Sequence, residues 1–144
     1  MEIWHLRPDL NRLNHPPVQH MGTWLGISFT DVDDDALFAS MPVNERTRQP
    51  LGILHGGASV VLAETIGSVA SYYVIDPQSH LAVGMEINAN HLRPVREGFV
   101  HAVCRPVHLG KSSHVWDIRL TDDLQKAVCI SRLTVAIVEK SRIN

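Results

Sequence analysis

The sequence predicts an α+β fold in which one long helix packs against a curved antiparallel sheet of about six strands. Three observations lead there. From Ala58 to Ile75 the chain runs without Lys, Arg or Pro behind a glycine pair, as a helix buried along one side would. Four extended runs follow, "LAVGMEINANHLRPV", "FVHAVCRPVHLG", "SHVWDIRLT" and "AVCISRLTVAIVEK", separated by the turn-like "REG", "GKS" and "DDLQK". Two further strand-like runs precede the helix, and one helix can bury its apolar face only if the sheet curls around it.

Each element has a local reason. Pro8 and "HPPV" punctuate the text before residue 20, and "PDLNRLN" between them reads as one or two turns of helix. Gly26 to Val43 reads as a hairpin: "GISFTDV", an acidic turn "DDD", then "ALFASMPV", where Leu37, Ala39 and Met41 alternate with their neighbours. The Asp run is a solvated turn and stays outside any site. Pro42 and Pro50 bracket an irregular segment that delivers the chain to the helix, which ends before "DPQS". In the last run the apolar phase shifts from Val128 and Ile130 to Leu133, Val135 and Ile137, which predicts a one-residue bulge near Ser131 or Arg132. Edge strands left open by such a sheet predict at least a dimer.

Composition bounds the function. A chain of 144 residues, 44% apolar and 19% charged, has the size and balance of one globular domain, taken as residues 1–144. A formal net charge of −2 with scattered basic residues argues against nucleic acid as a partner. The N-terminal "MEIWHLRPDL" lacks a signal-peptide pattern and no apolar run reads as a membrane span, so a cytoplasmic location is expected. Cys104 and Cys129 are then expected as buried free thiols.

The long helix carries one carboxylate, Glu64, in the run "HGGASVVLAETIG". At 100° per residue, Gly57, Val60, Val61, Gly67, Ser68 and Ser71 fall on the side of Glu64, while Leu62, Ile66, Val69 and Tyr73 point the opposite way. The bulky face should meet the sheet, and the small face should leave a cleft beside the carboxylate. Ahead of it stands the His55-Gly56-Gly57 corner. Backbone N–H groups at a helix start lack intrahelical partners and lie at the positive end of the dipole, so glycine there lets a carbonyl oxygen approach and be polarised. That is half of an acyl-transfer site, and a carboxylate acting as nucleophile or as base on water is the other half. Gly56 and Glu64, however, are about 12 Å apart along one helix axis, too far to touch one carbonyl. Two antiparallel helices across a two-fold axis would bring the Gly56 of one chain to the Glu64 of the other.

The segments "RTRQPLGILHGGASVVLAETIGS", "VGMEINANHLRPVREG", "HLGKSSHVWDI" and "SRLTVAIVE" resemble the hotdog-fold acyl-CoA thioesterases of the PaaI-like group, from about Val18 to the end. Within that group they are similar to the branch that hydrolyses 1,4-dihydroxy-2-naphthoyl-CoA and other aromatic acyl-CoAs, and to the enterobactin-pathway proofreading thioesterases. The resemblance implies a hotdog fold, no cofactor, and a dimer or dimer of dimers. It implies that Glu64 is the catalytic carboxylate, as nucleophile or general base. Gly56 would supply the polarising N–H, Gln49 and His55 would hold the thioester and its sulfur, and Ser68 would position water. It also implies coenzyme A contacts at Val83, Gly84, Met85 and Glu86, at His91 and Arg93, and at Gly110, Lys111, Ser112 and Ser113. The acyl carrier could be coenzyme A or a phosphopantetheinyl carrier protein.

Rival chemistries find less support. The nine histidines form no metal-ligand spacing, and no G-x-S-x-G elbow or nucleophilic cysteine context occurs. Hydroxyacyl carrier-protein dehydratases share the hotdog fold but approach the helix through a His-Pro-x-x-Pro-Gly motif absent here. A non-catalytic acyl-CoA-binding protein would need the pocket but no working carboxylate, and Gln49, His55, Gly56 and Glu64 together favour hydrolysis.

Overall fold

A computed structural model describes residues 1–143. Helices α1 (Leu10–Asn14) and α2 (Met21–Trp24) precede strands β1 (Ser28–Val32) and β2 (Leu37–Pro42), the long helix α3 (Gly56–Val74), and strands β3 (His80–His91), β4 (Phe99–Leu109), β5 (Ser113–Thr121) and β6 (Ala127–Glu139). The six strands form one antiparallel sheet in the order β1-β2-β4-β5-β6-β3. At 1.5 Å per residue α3 is roughly 28 Å long, and it packs against β2, β3, β4, β5 and β6, so the sheet wraps it.

The core lies between them. Leu62 and Ile66 of α3 are fully buried with Trp116, Ile118, Leu120, Leu133 and Val135 of the sheet, each worth about 1.5–3 kcal/mol as apolar burial. Cys104 and Cys129 are buried free thiols, as expected. The helix starts two residues earlier than the sequence predicts, because both glycines belong to its first turn. Among the described residues no helix is long and apolar enough to cross a membrane.

Two expectations are corrected. Gly67 and Ser71 do not face a cleft: both are buried on the sheet side, where a Cβ on Gly67 would come within 2.6 Å of Leu133 Cδ2. Val69, expected against the sheet, is only half-buried. The bulge predicted near Ser131 or Arg132 lies instead at Val128, since β5 pairs Leu120 with Cys129 and Thr121 with Ala127. Ser131 is an inward, buried position, and its hydroxyl satisfies itself by donating to the Asn88 carbonyl at 2.8 Å. A polar residue on the core side had disguised the phase.

The two sheet edges differ. Along β1, the Asn14 side chain mimics a strand: its Nδ2 donates to the Phe29 carbonyl and its Oδ1 accepts the Phe29 N–H, both at 2.8 Å. The acidic turn after β1 also ties down the N-terminal segment, with Trp4 Nε1 donating to the Asp33 carbonyl and Arg7 paired with Asp34. The other edge, β3, is twelve residues long, has β6 as its only strand neighbour among the described residues, and leaves Val83 and Met85 exposed.

Candidate active site

The segment between β2 and α3 is knotted around one buried threonine. Thr47 Oγ1 donates to the Pro42 carbonyl at 2.7 Å and accepts the Asn44 N–H at 3.0 Å, while the Thr47 carbonyl accepts the His55 N–H at 2.8 Å. Leu54 N–H donates to the Val95 carbonyl at 2.7 Å, which fixes the end of the segment against the loop after β3. Gln49 stands on this scaffold with its Oε1 accepting the Leu51 N–H. Its Nε2 makes no hydrogen bond among the described residues.

His55 is the N-cap of α3. Its Nδ1 accepts the Gly57 N–H at 2.8 Å, so Nε2 is the ring nitrogen left to donate. The His55 carbonyl takes the N–H groups of Ala58 and Ser59. Of the four amides that open the helix, three are therefore satisfied. Gly56 N–H has no partner among the described residues.

That amide borders a cavity of about 470 Å³ lined by Gln49, Gly56, Ser59, His91 and Arg93, with Ile53, Leu54, Leu92, Pro94 and Val128 as its apolar wall. His91 packs directly on the glycine: a Cβ on Gly56 would stand 2.8 Å from His91 Nε2. Gln49, Gly56 and the pair His91 and Arg93, far apart in sequence, thus meet in one place. The apolar wall was not foreseen; the only trace of it in the sequence is the phase shift at Val128 and the rigid Pro94.

Glu64 is elsewhere. It is half-buried, lies over strand β3 at Gly84, and does not border that cavity. Ser68 follows one turn later, also half-buried. The remaining residues implied by the resemblance fall in two further places. Val83, Gly84, Met85 and Glu86 are exposed on the free edge strand, with Glu86 accepting from Asn88 at 3.2 Å. Gly110 to Ser113 form the turn from β4 to β5, closed by Gly110 N–H to the Ser113 carbonyl at 2.9 Å. Gly110 and Lys111 border a second cavity of about 530 Å³ at the far end of α3, with Asp76, His80 and His114. One chain does not bring the three groups together. Among the described residues no cluster of three or more His, Cys, Asp or Glu side chains could hold a metal ion.

A free amide at a glycine corner beside a cavity, and a lone carboxylate on the same helix, are the kinds of group that acyl-transfer chemistry uses. The sequence profile of the Thioesterase superfamily matches residues 51–129, and the chain belongs to that family, a thioester hydrolase on the hotdog fold. It is 50% identical over 94% of its length to the 1,4-dihydroxy-2-naphthoyl-CoA hydrolase of Escherichia coli, covering 99% of that protein. It is 46% identical over 94% of its length to the proofreading thioesterase EntH of Cronobacter sakazakii, covering 98% of it. The crystal structure of a Q49A mutant of thioesterase PA1618 from Pseudomonas aeruginosa superposes with a TM-score of 0.94 at 54% identity, over 96% of this chain and 99% of that one.

Proposed function

We propose that the protein hydrolyses aromatic acyl-CoA thioesters, of the 1,4-dihydroxy-2-naphthoyl or benzoyl type, to the free acid and coenzyme A, at sites shared between two chains. The observation that carries this reading is Gly56 N–H, the one amide of the opening turn of α3 without a partner among the described residues, which borders a cavity that Gln49 and His91 also line. In the proposed reaction the thioester carbonyl oxygen accepts the Gly56 N–H, which stabilises the charge that develops on it. Gln49 Nε2 and the Nε2–H of His55 donate to the carbonyl or the departing sulfur. Glu64 of the partner either removes a proton from water as it adds to the carbonyl carbon or adds itself and is then hydrolysed, with Ser68 holding the water. The carbon–sulfur bond breaks with its electron pair going to sulfur, and coenzyme A leaves as its thiolate, which takes up the proton lost by the attacking water.

The partner chain is required by distance. Gly56 and Glu64 stand eight residues apart on one helix, about 12 Å, and Glu64 lies at the open edge of the sheet while the opposite edge is plugged by Asn14. A two-fold axis beside β3 covers Val83 and Met85 and carries each Glu64 toward the other chain's cavity. Dimers of this kind could pair again as a dimer of dimers, with each chain acting as one domain in the cytoplasm. His91, Arg93 and the turn at Lys111 would face the nucleotide and pantetheine arm.

A carrier-protein thioester is the second reading, favoured by the likeness to a proofreading thioesterase. Release of free thiol, followed spectrophotometrically over a panel of aromatic and fatty acyl groups on coenzyme A and on a carrier protein, separates the two. Glu64→Gln should fold normally and lose on the order of 10²-fold or more in kcat, as positioned acid/base groups do. Turnover close to wild type would remove Glu64 from the reaction.

A further inference from the structure

Strand β3 carries a glycine that its own backbone does not need. Gly84 is not in the left-handed region of φ, unlike Gly26, Gly52 and Gly98, so any L-residue fits its conformation. In an extended edge strand glycine is a poor choice, because it adds conformational freedom to the unfolded chain and packs nothing. The reason for it is space. A Cβ built on Gly84 would overlap Glu64 Oε1 and stand 3.5 Å from Glu64 Cδ, and outside its chain neighbours no other described atom comes within 4 Å of it. The only group that a methyl there would meet is the carboxylate.

The strand is also bent at this point. Pairing with β6 runs Gly84 to Val135 and then Glu86 to Thr134, leaving Met85 as the extra residue of a bulge. Bulges re-aim the residues beside them and occur next to active sites for that reason. Here the bulge sits on the free edge of the sheet, where a second chain would dock.

We propose that Gly84 is a positioning residue for Glu64: its missing side chain is the seat in which the carboxylate lies, directed toward the site of the partner chain. This rests on the hydrolytic role of Glu64 set out above. It differs from the coenzyme A contact that the family resemblance implies for Gly84, because a seat acts on turnover and a ligand contact acts on binding.

The test is a double-mutant cycle between Gly84→Ala and Glu64→Gln, with Glu64→Asp as the conservative partner. Gly84→Ala alone should lower kcat by roughly 10- to 100-fold, the scale of a misplaced catalytic group, with KM little changed and the thermal midpoint equal to or above wild type. In the Glu64→Gln background the same alanine should cost no further turnover. It should leave unchanged, within about twofold, the Kd of S-phenacyl-CoA, in which a methylene separates carbonyl from sulfur. Glu64→Asp, whose carboxylate is one methylene shorter, should suffer less from Gly84→Ala than Glu64 does. Weakened S-phenacyl-CoA binding in both backgrounds overturns the seat and makes Gly84 a ligand contact. Full turnover of Gly84→Ala with an inactive Glu64→Gln overturns the seat alone, whereas full turnover of Glu64→Gln overturns the catalytic carboxylate and the seat with it.

Discussion

Lowering the pH should destabilise this protein through one buried histidine, and the size of the effect follows from its hydrogen bonds. His114 on β5 is 3% exposed, with Nδ1 3.0 Å from Ser71 Oγ on α3. Ser71 Oγ also accepts Trp116 Nε1–H at 2.7 Å, so one hydroxyl joins the indole and the imidazole inside the core. Burial, with His108 adding repulsion, lowers the His114 pKa from 6.5 to about 4. A base with a lower pKa in the folded state is protonated first in the unfolded chain. Its contribution is therefore complete above pH 6.5 and declines as pH falls toward 4. At 1.36 kcal/mol per pKa unit, the loss between about pH 7 and pH 4.5 is roughly 2–3 kcal/mol. His114→Asn keeps a hydrogen-bonding side chain but cannot titrate in this range, and carboxylate contributions cancel between the two proteins. Urea unfolding at both pH values should show wild type losing about 2–3 kcal/mol more than the variant. Equal losses would refute the buried neutral histidine.

Three further outcomes are expected. Gly67→Ala should lower the thermal midpoint by about 3–6 °C, because crowding of both Leu133 and Ile118 costs about 2–3 kcal/mol and the gain in helix propensity of about 1 kcal/mol offsets only part of it. Asn14→Ala should cost about 1–2 kcal/mol in urea unfolding, for two hydrogen bonds at the β1 edge, and should leave kcat unchanged because that edge is remote from the cavity at Gly56. The loss of turnover in Glu64→Gln, measured by thiol release, completes the set.

The helix and the four strands after it were legible because their apolar spacing reports burial directly: Leu62, Ile66, Leu133 and Val135 are where a periodic reading places them. Small residues carry no such signal. Gly67 and Ser71 look alike in sequence whether they line a cleft or are pressed against Leu133 and Trp116, and here they are pressed. Ser131 misled for the complementary reason, as a polar residue whose hydrogen bond makes it acceptable on the core side. Helix α2 gave little warning because a histidine, His20, caps it in place of the usual Ser, Asp or Asn. At the site, Glu64 stood out as the one charge on its helix, and the glycine corner stood out by its position. What the sequence could not reveal is that His55 uses its Nδ1 on Gly57 and leaves only the Gly56 amide unpaired, since that is a matter of which of four adjacent N–H groups is satisfied.

Subunit mixing tests the shared site most directly. Glu64→Ala and Gly56→Ala are each expected to be nearly inactive, the second because its Cβ would crowd His91 at the unpaired amide. Unfolded together in equal amounts and refolded, half of the dimers are hybrids, and each hybrid has one site with both lesions and one with neither. Turnover should return to about a quarter of wild type. A mixture no more active than the two variants kept apart would mean that carboxylate and amide act within one chain.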